Sequence, residues 1–255
     1  MIARTAIDSY YLMLRGLRDA LRQPGVEITN IFIPMFFFAV TVGAIGGIAG
    51  PAFGVTNFLG FQMPVAVLQA VAGVAGSAGI GTVTDIERGY FDKLLLTPSP
   101  RVALVFGRMA ADCVRAMALT AIIVVVGLLF GSGMATGLLG ALLIVAMAGA
   151  FGLAYSGIGL SIALRTGSAQ AAQAGFLLFF PLLFLSPAFA PKEIFSGWLR
   201  FLATINPITY ILQGMRGLIL DGWDIGSLAG AFAAILGLTV FTLTLTLAAL
   251  RSRTA

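Results

Sequence analysis

Long apolar runs, each broken off by a cluster of charge, are the feature that most limits what this chain can become. Tracts near residues 29–49, 57–82, 109–131, 136–164, 169–190 and 226–250 are each long enough to cross a bilayer as a helix, which takes about 20 residues. Inside lipid the backbone finds no water to bond, so such tracts become helices, whose hydrogen bonds close within the segment. The sequence therefore predicts an all-α membrane protein of six spans, in one domain covering residues 1–255. The fourth tract is longer than a crossing needs, which implies tilt or an extension beyond the membrane.

Composition removes the soluble alternative. Of the residues, 59% are hydrophobic and 10% charged, where soluble domains carry about 25% charge. So few polar side chains cannot cover a water-facing surface. Glycine, at 32 residues, suits close helix contacts in lipid, and Gly43 with Gly47 and Gly127 with Gly131 have the spacing for it. With one cysteine, Cys113, and no histidine, neither an internal disulfide, nor a cysteine zinc cluster, nor an imidazole relay can form. Cys113 reads as a small apolar packing residue or as a reactive thiol. The N-terminus lacks the layout of a cleaved secretory signal and reads as retained.

Charge sets the orientation. With the N-terminus inside, Arg4, Arg15, Arg18, Arg22, Arg88, Lys93, Arg101, Arg108, Arg115, Arg165, Arg251 and Arg253 face the cytoplasm, and Lys192, Arg200 and Arg216 face out. That bias follows the positive-inside rule and puts both termini in the cytoplasm. The net charge of +5 is explained by lipid headgroups, with no nucleic-acid partner required.

Three segments between the spans do more than connect. Residues 1–27 hold an interfacial helix, with Ile7, Tyr11, Leu14, Leu17 and Leu21 on one face and Arg15, Arg18 and Arg22 on another; it reads as a membrane anchor or a contact for a cytoplasmic partner. Residues 83–108 form a cytoplasmic loop whose charges centre on Glu87 to Arg101. There Arg88 and Asp92 have helical ion-pair spacing, Leu94 to Leu96 make an apolar ridge, and Pro98 with Pro100 end the helix. The stretch reads as a docking helix or as a solvated loop helix. Residues 190–225 form an external segment with Trp198, Tyr210 and Trp223, and Asn206 to Leu220 read as a proline-initiated amphipathic helix at, or dipping into, the outer leaflet.

An energy source is missing. The spans contain no lysine, glutamate or histidine, and their only charges, Asp112 and Arg115, stand three apart and can pair. Ion-coupled carriers place ionisable groups along their path. The polar residues left, Asn57, Gln62, Gln69, Gln170 and Gln173, could line a pathway or bond between helices. Neither Lys93 nor Lys192 follows a glycine, so no phosphate-binding loop exists. These absences, with a helix suited to docking, point to a separate ATPase as the driver, though facilitators and purely structural membrane proteins lack the same features.

At the cytoplasmic loop, Glu87, Arg88, Leu94, Leu95, Thr97, Pro98 and Arg101 resemble the Glu-Arg, Leu-Leu, Thr-Pro, Arg signature of type-two permeases of ATP-binding-cassette exporters. Asn206 to Leu218, with Asn206, Pro207, Tyr210 and Arg216, is similar to the segment before the last helix of that family. Arg88 to Asp92 resembles the daunorubicin-resistance group, although many members carry other residues where this chain has Tyr90, Phe91 and Asp92. The resemblance implies a half-transporter of two permeases, as homodimer or heterodimer, with two cytosolic ATPase subunits that hold the ATP and Mg. It implies ATPase coupling through Glu87, Arg88, Tyr90, Phe91, Asp92, Lys93, Leu94, Leu95, Thr97, Pro98 and Arg101 and through the N-terminal arginines, with a hydrophobic drug or lipid as substrate. No chemistry is catalysed by the chain itself. Exporters of polysaccharide or lipid-linked polymer share this plan. A non-transporting scaffold or sensor is the alternative from another class.

Overall fold

Helices this apolar are stable only side by side, and their small residues decide how closely they pack. The computed structural model describes residues 2–97 and 100–254, and the side chains of 5–94, 96–97 and 100–252. Among them all regular structure is helical. The order is α1 (Ile2–Leu21), α2 (Pro24–Phe53), α3 (Phe58–Glu87), α4 (Tyr90–Leu95), α5 (Arg101–Leu129), α6 (Gly137–Thr166), α7 (Ala169–Leu177) and α8 (Phe179–Phe184). After a short turn at Lys192–Ile194 come α9 (Gly197–Ile205), α10 (Pro207–Arg216), a wide turn at Gly217–Asp221, and α11 (Ile225–Thr254).

Five helices, α2, α3, α5, α6 and α11, are long and apolar enough to cross a membrane. The tract at 169–190 is not one helix. Pro181 has no N–H for the carbonyl of Leu177, and the helix breaks at Leu178 into α7 and α8. The two cover Ala169–Phe184, about 24 Å at the usual rise, short of a hydrocarbon core of about 30 Å. Beyond them, 185–190 run on as turns and bends around Pro187, up to Pro191.

The core forms around α3. Its apolar stretch is 83% buried, against 11% for α2, so α3 is the axis of the bundle and α2 a rim helix with Phe32, Phe36 and Phe37 uncovered. The approach of α3, α6 and α7 depends on three glycines. A Cβ on Gly79 would stand 2.9 Å from the Gly159 carbonyl oxygen, and one on Gly175 3.1 Å from the Gly159 Cα. Of the glycine pairs expected to mediate contacts, Gly43 and Gly47 meet nothing within 4 Å. Gly127 is pressed against Met63, but Gly131 has φ +90 and ends a helix instead of joining a contact.

The charged loop is shorter than 83–108, because α3 continues to Glu87 and α5 starts at Arg101. Asp85 and Arg108, which would be unfavourable in helix ends near lipid, neutralise each other at 2.6 Å. Helix α1 is three-sided. Its small face packs on α5, where Gly16 meets Ala111 and the backbone at Ser9 meets Gly107. Ile7, Tyr10, Tyr11 and Leu21 remain uncovered, Leu14 and Leu17 are half-buried, and Arg15 and Asp19 form a charged edge.

Candidate functional site: the charged end of the bundle

Helix α3 ends at Glu87, and Gly89, at φ 66, turns the chain sharply into α4. Only glycine enters that region without strain. The turn takes Arg88 and Asp92 off a common helix, so the ion pair expected from their spacing does not form. Among the described residues the salt bridges here belong to others.

Asp85 is their hub. It accepts hydrogen bonds from Arg15 of α1 at 2.8 and 3.3 Å and from Arg108 of α5 at 2.6 Å. Burial works against the Arg15 charge, but its bonds to Asp85 and the neighbouring negative charge outweigh that and raise its pKa. The same guanidinium lies 3.8 Å from the centre of the Tyr90 ring, a cation–π contact. Three helices and the first residue of α4 thus meet on one carboxylate. Neither Asp85 nor Arg108 stood out in the sequence as a site residue; the signal available was a lone acid at the end of an apolar tract.

Phe91 carries α4 into the bundle. Its ring is buried with Val105, Met109, Leu160, Leu164 and Leu250, so it anchors the loop and is not a docking surface. Leu96, by contrast, is 87% exposed. Glu87, Arg88, Asp92, Lys93, Thr97 and Arg101 are exposed, and Leu94 is half-buried. Thr97 turns inward on the chain, its hydroxyl donating to the Leu94 carbonyl. Pro98 and the side chain of Leu95 lie outside the described residues. Of the N-terminal arginines, Arg15 is committed to Asp85, while Arg18 and Arg22 are exposed.

Deeper in, Asp112 and Arg115 pair at 2.8 Å as their spacing predicts. Arg115 also donates to Glu27 of α2, at 2.8 Å from Nε and 2.5 Å from Nη2, and to the Ser77 hydroxyl of α3 at 2.8 Å. Glu27 lay outside the expected spans, but α2 begins at Pro24 and brings it to α5.

The candidate pathway residues divide. Asn57 caps α3, accepting from the Gly60 N–H and donating to the Ser132 carbonyl. Gln62 is buried inside the protomer. Gln69 is half-buried, and Gln170 and Gln173 of α7 are exposed.

At the opposite end, Asn206 caps α10, accepting from the Ile208 N–H while donating to the Leu182 carbonyl at 2.5 Å. Pro207 takes the first helical position. The Tyr210 hydroxyl donates to the Thr204 carbonyl at 2.7 Å. Arg216, in the helix expected at or dipping into the outer leaflet, is turned into the protein. It is 7% exposed and donates to the carbonyls of Phe61, Pro187 and Ala188, at 2.9, 2.5 and 2.8 Å. Its carbon stands 3.5 Å from the centre of the Phe61 ring. The non-helical stretch 185–190 leaves carbonyls without helical donors, and Arg216 supplies donors to those of Pro187 and Ala188; that draws α10 into the core.

A bundle of long apolar helices, tied together at one end by ion pairs, with a short helix between α3 and α5 seated there by Tyr90 and Phe91, defines a multi-pass membrane protein. Residues 9–220 match the ABC-2 type transporter family. The chain belongs to that family, whose membrane subunits work with an ABC ATPase. Among its relatives, the daunorubicin resistance ABC transporter permease protein DrrB1 of Streptomyces coeruleorubidus is 26% identical over 230 residues, covering 87% of this chain and 80% of the relative. A Mycobacterium tuberculosis protein, DrrC, named as a doxorubicin resistance ABC transporter permease, is 23% identical over 241 residues, covering 94% and 85%.

Proposed function

We propose that this chain is the membrane-spanning subunit of an exporter that moves hydrophobic drugs or lipids across the cytoplasmic membrane, driven by a separate cytosolic ATPase. Two copies, or one copy with a related permease, assemble with two ATPase subunits. Both termini face the cytoplasm, and α7, α8 and 185–190 together make the sixth crossing. Helix α4 and its flanks are the surface the ATPase grips, and Gln69, Gln170 and Gln173 face the pathway.

The observation that carries this reading is the anchoring of α4. A docking helix transmits force only if it cannot swivel on its own, and α4 is held by Phe91 in the apolar core and by Tyr90 on Arg15. Displacement of α4 therefore moves α1, α3 and α5 together. The names of the relatives support a drug-like cargo.

The test is co-expression of the chain with a candidate ATPase. ATP-dependent efflux of a hydrophobic dye from reconstituted vesicles is expected only with both subunits present. Glu87→Lys and Leu96→Glu are expected to reduce copurification of the ATPase without loss of the folded permease. Efflux by the chain alone, against a gradient, overturns the reading.

A further inference from the structure

At about 100° per residue, Ile7, Tyr10, Leu14, Leu17 and Leu21 of α1 fall within an arc of about 80°, turned away from Gly16, which packs on α5. Ile7, Tyr10 and Leu21 are uncovered there, Leu21 at 81%. Arg18 follows at the edge of this arc. Arg22, whose N–H donates to the Arg18 carbonyl at 3.1 Å, extends the last turn beside it, and residues four apart on a helix are neighbours.

These two arginines are unlike the three that tie the bundle. Arg15 and Arg108 are bound to Asp85, and Arg115 to Glu27 and Asp112. Arg18 and Arg22 are exposed, and among the described residues neither makes a salt bridge. Asp19 is paired with Arg15, and Asp8 comes on that same edge of the helix. The outward side of α1 is therefore an apolar face bordered by two unmatched positive charges.

What covers this face follows from where the chain goes next. Arg22 stands two residues ahead of Pro24, where α2 begins. In its first turns α2 uncovers Val26 and Ile28, and then Phe32 and Phe36. The uncovered apolar surface of α1 runs on into that of a membrane-spanning helix, whose solvent is lipid. A soluble acidic protein would match the arginines but leave that apolar row in water. A phospholipid matches both, its acyl chains on the row and its phosphate on the guanidinium groups, which hold phosphate by paired hydrogen bonds.

We propose that Arg18 and Arg22 form a binding site for an anionic phospholipid of the leaflet at the charged end of the bundle, with Ile7, Tyr10 and Leu21 against its acyl chains. The proposal goes beyond the exporter reading. It concerns binding alone, so it stands or falls without transport.

The probes are phosphatidylglycerol and phosphatidylcholine with the same acyl chains, added in equal amounts to the full chain in detergent. Retained lipid is counted by native mass spectrometry. Preferential retention of phosphatidylglycerol is expected, and Arg18→Gln with Arg22→Gln is expected to lower that preference by about tenfold. Arg18→Lys with Arg22→Lys keeps the charge and is expected to keep most of it. Each single glutamine variant is expected to remove part of the preference and keeps the test open if the pair does not fold. Arg165→Gln, an exposed arginine in the last turn of α6, is expected to change nothing. The proposal is overturned if the two lipids are retained equally, if the folded glutamine variants bind as the parent does, or if Arg165→Gln has as large an effect, which would reduce the preference to the general pull of a basic surface. Loss of ATPase copurification in the double glutamine variant, with lipid preference intact, would give the face to a protein partner instead.

Discussion

The Asp85 carboxylate accepts two hydrogen bonds from the Arg15 guanidinium, across 70 residues of chain. That fork ties the interfacial helix to the end of the central span, and it sits directly against Tyr90, the first residue of the loop helix. Lysine offers a point charge in place of a fork and cannot reproduce it. Arg15→Lys is expected to lower stability by about 1–2 kcal/mol and to reduce coupling between ATP hydrolysis and efflux. Asp85→Ala, which strands Arg108 as well, is expected to do more. Thermal unfolding in detergent measures the first effect, and the ratio of ATP hydrolysed to dye exported measures the second. Full coupling in Asp85→Ala would remove the carboxylate from the transmission path.

Arg216 is expected to tolerate no substitute. Arg216→Met leaves the carbonyls of Phe61, Pro187 and Ala188 without donors, and a loss of about 3 kcal/mol or more is expected. Arg216→Lys keeps charge but cannot reach three carbonyls in different directions. Protease sensitivity of the segment 185–206 is expected to rise in both variants, and an unchanged digestion pattern would count against the clamp.

The glycines separate by position. Gly79→Ala forces its methyl group onto backbone at 2.9 Å and is expected to cost about 1–3 kcal/mol. Gly43→Ala and Gly47→Ala, with nothing within 4 Å, are expected to change stability by less than about 0.5 kcal/mol. Melting temperatures of the three variants, measured side by side, check the order.

Asp224 precedes α11 and accepts from the Ser227 hydroxyl and from the backbone N–H groups of Ser227 and Gly226. These bonds, the Ser227 hydroxyl first, hold its carboxyl below the usual carboxylate range. A carboxyl whose pKa is lower in the folded state stabilises above its unfolded pKa of about 3.9, and the effect fades as pH falls through the folded value. Asp224→Ala is therefore expected to melt below the parent at pH near 7, with the difference vanishing in acid below the folded pKa. A difference that persists there would assign the effect to something other than the carboxylate.

Much of this protein is legible in its sequence because lipid admits few solutions. An apolar tract of sufficient length becomes a helix wherever it lies, so α2, α3, α5, α6 and α11 appear close to where hydrophobicity puts them. That 2–21 form a helix follows from residue spacing. Asn206 and Pro207 mark a helix start through local geometry, and Asp112 pairs with Arg115 because residues three apart on one helix always meet. Hydrophobicity could not show that the tract at 169–190 breaks at Pro181, since a proline in lipid is tolerated or not according to its neighbours. Nor could it tell which helix is central, because α2 is the more apolar of the two and yet packing buries α3. Apart from Asp19 and Asp112, which lie within one helical turn, the partners of Arg15, Arg115 and Arg216 come from 28 to 155 residues away, a distance over which periodicity carries no information. Spacing suggested Arg88 with Asp92; tertiary structure chose Arg15 with Asp85, because a glycine turn ended one helix early and the crossing of α1 over α5 brought another within reach.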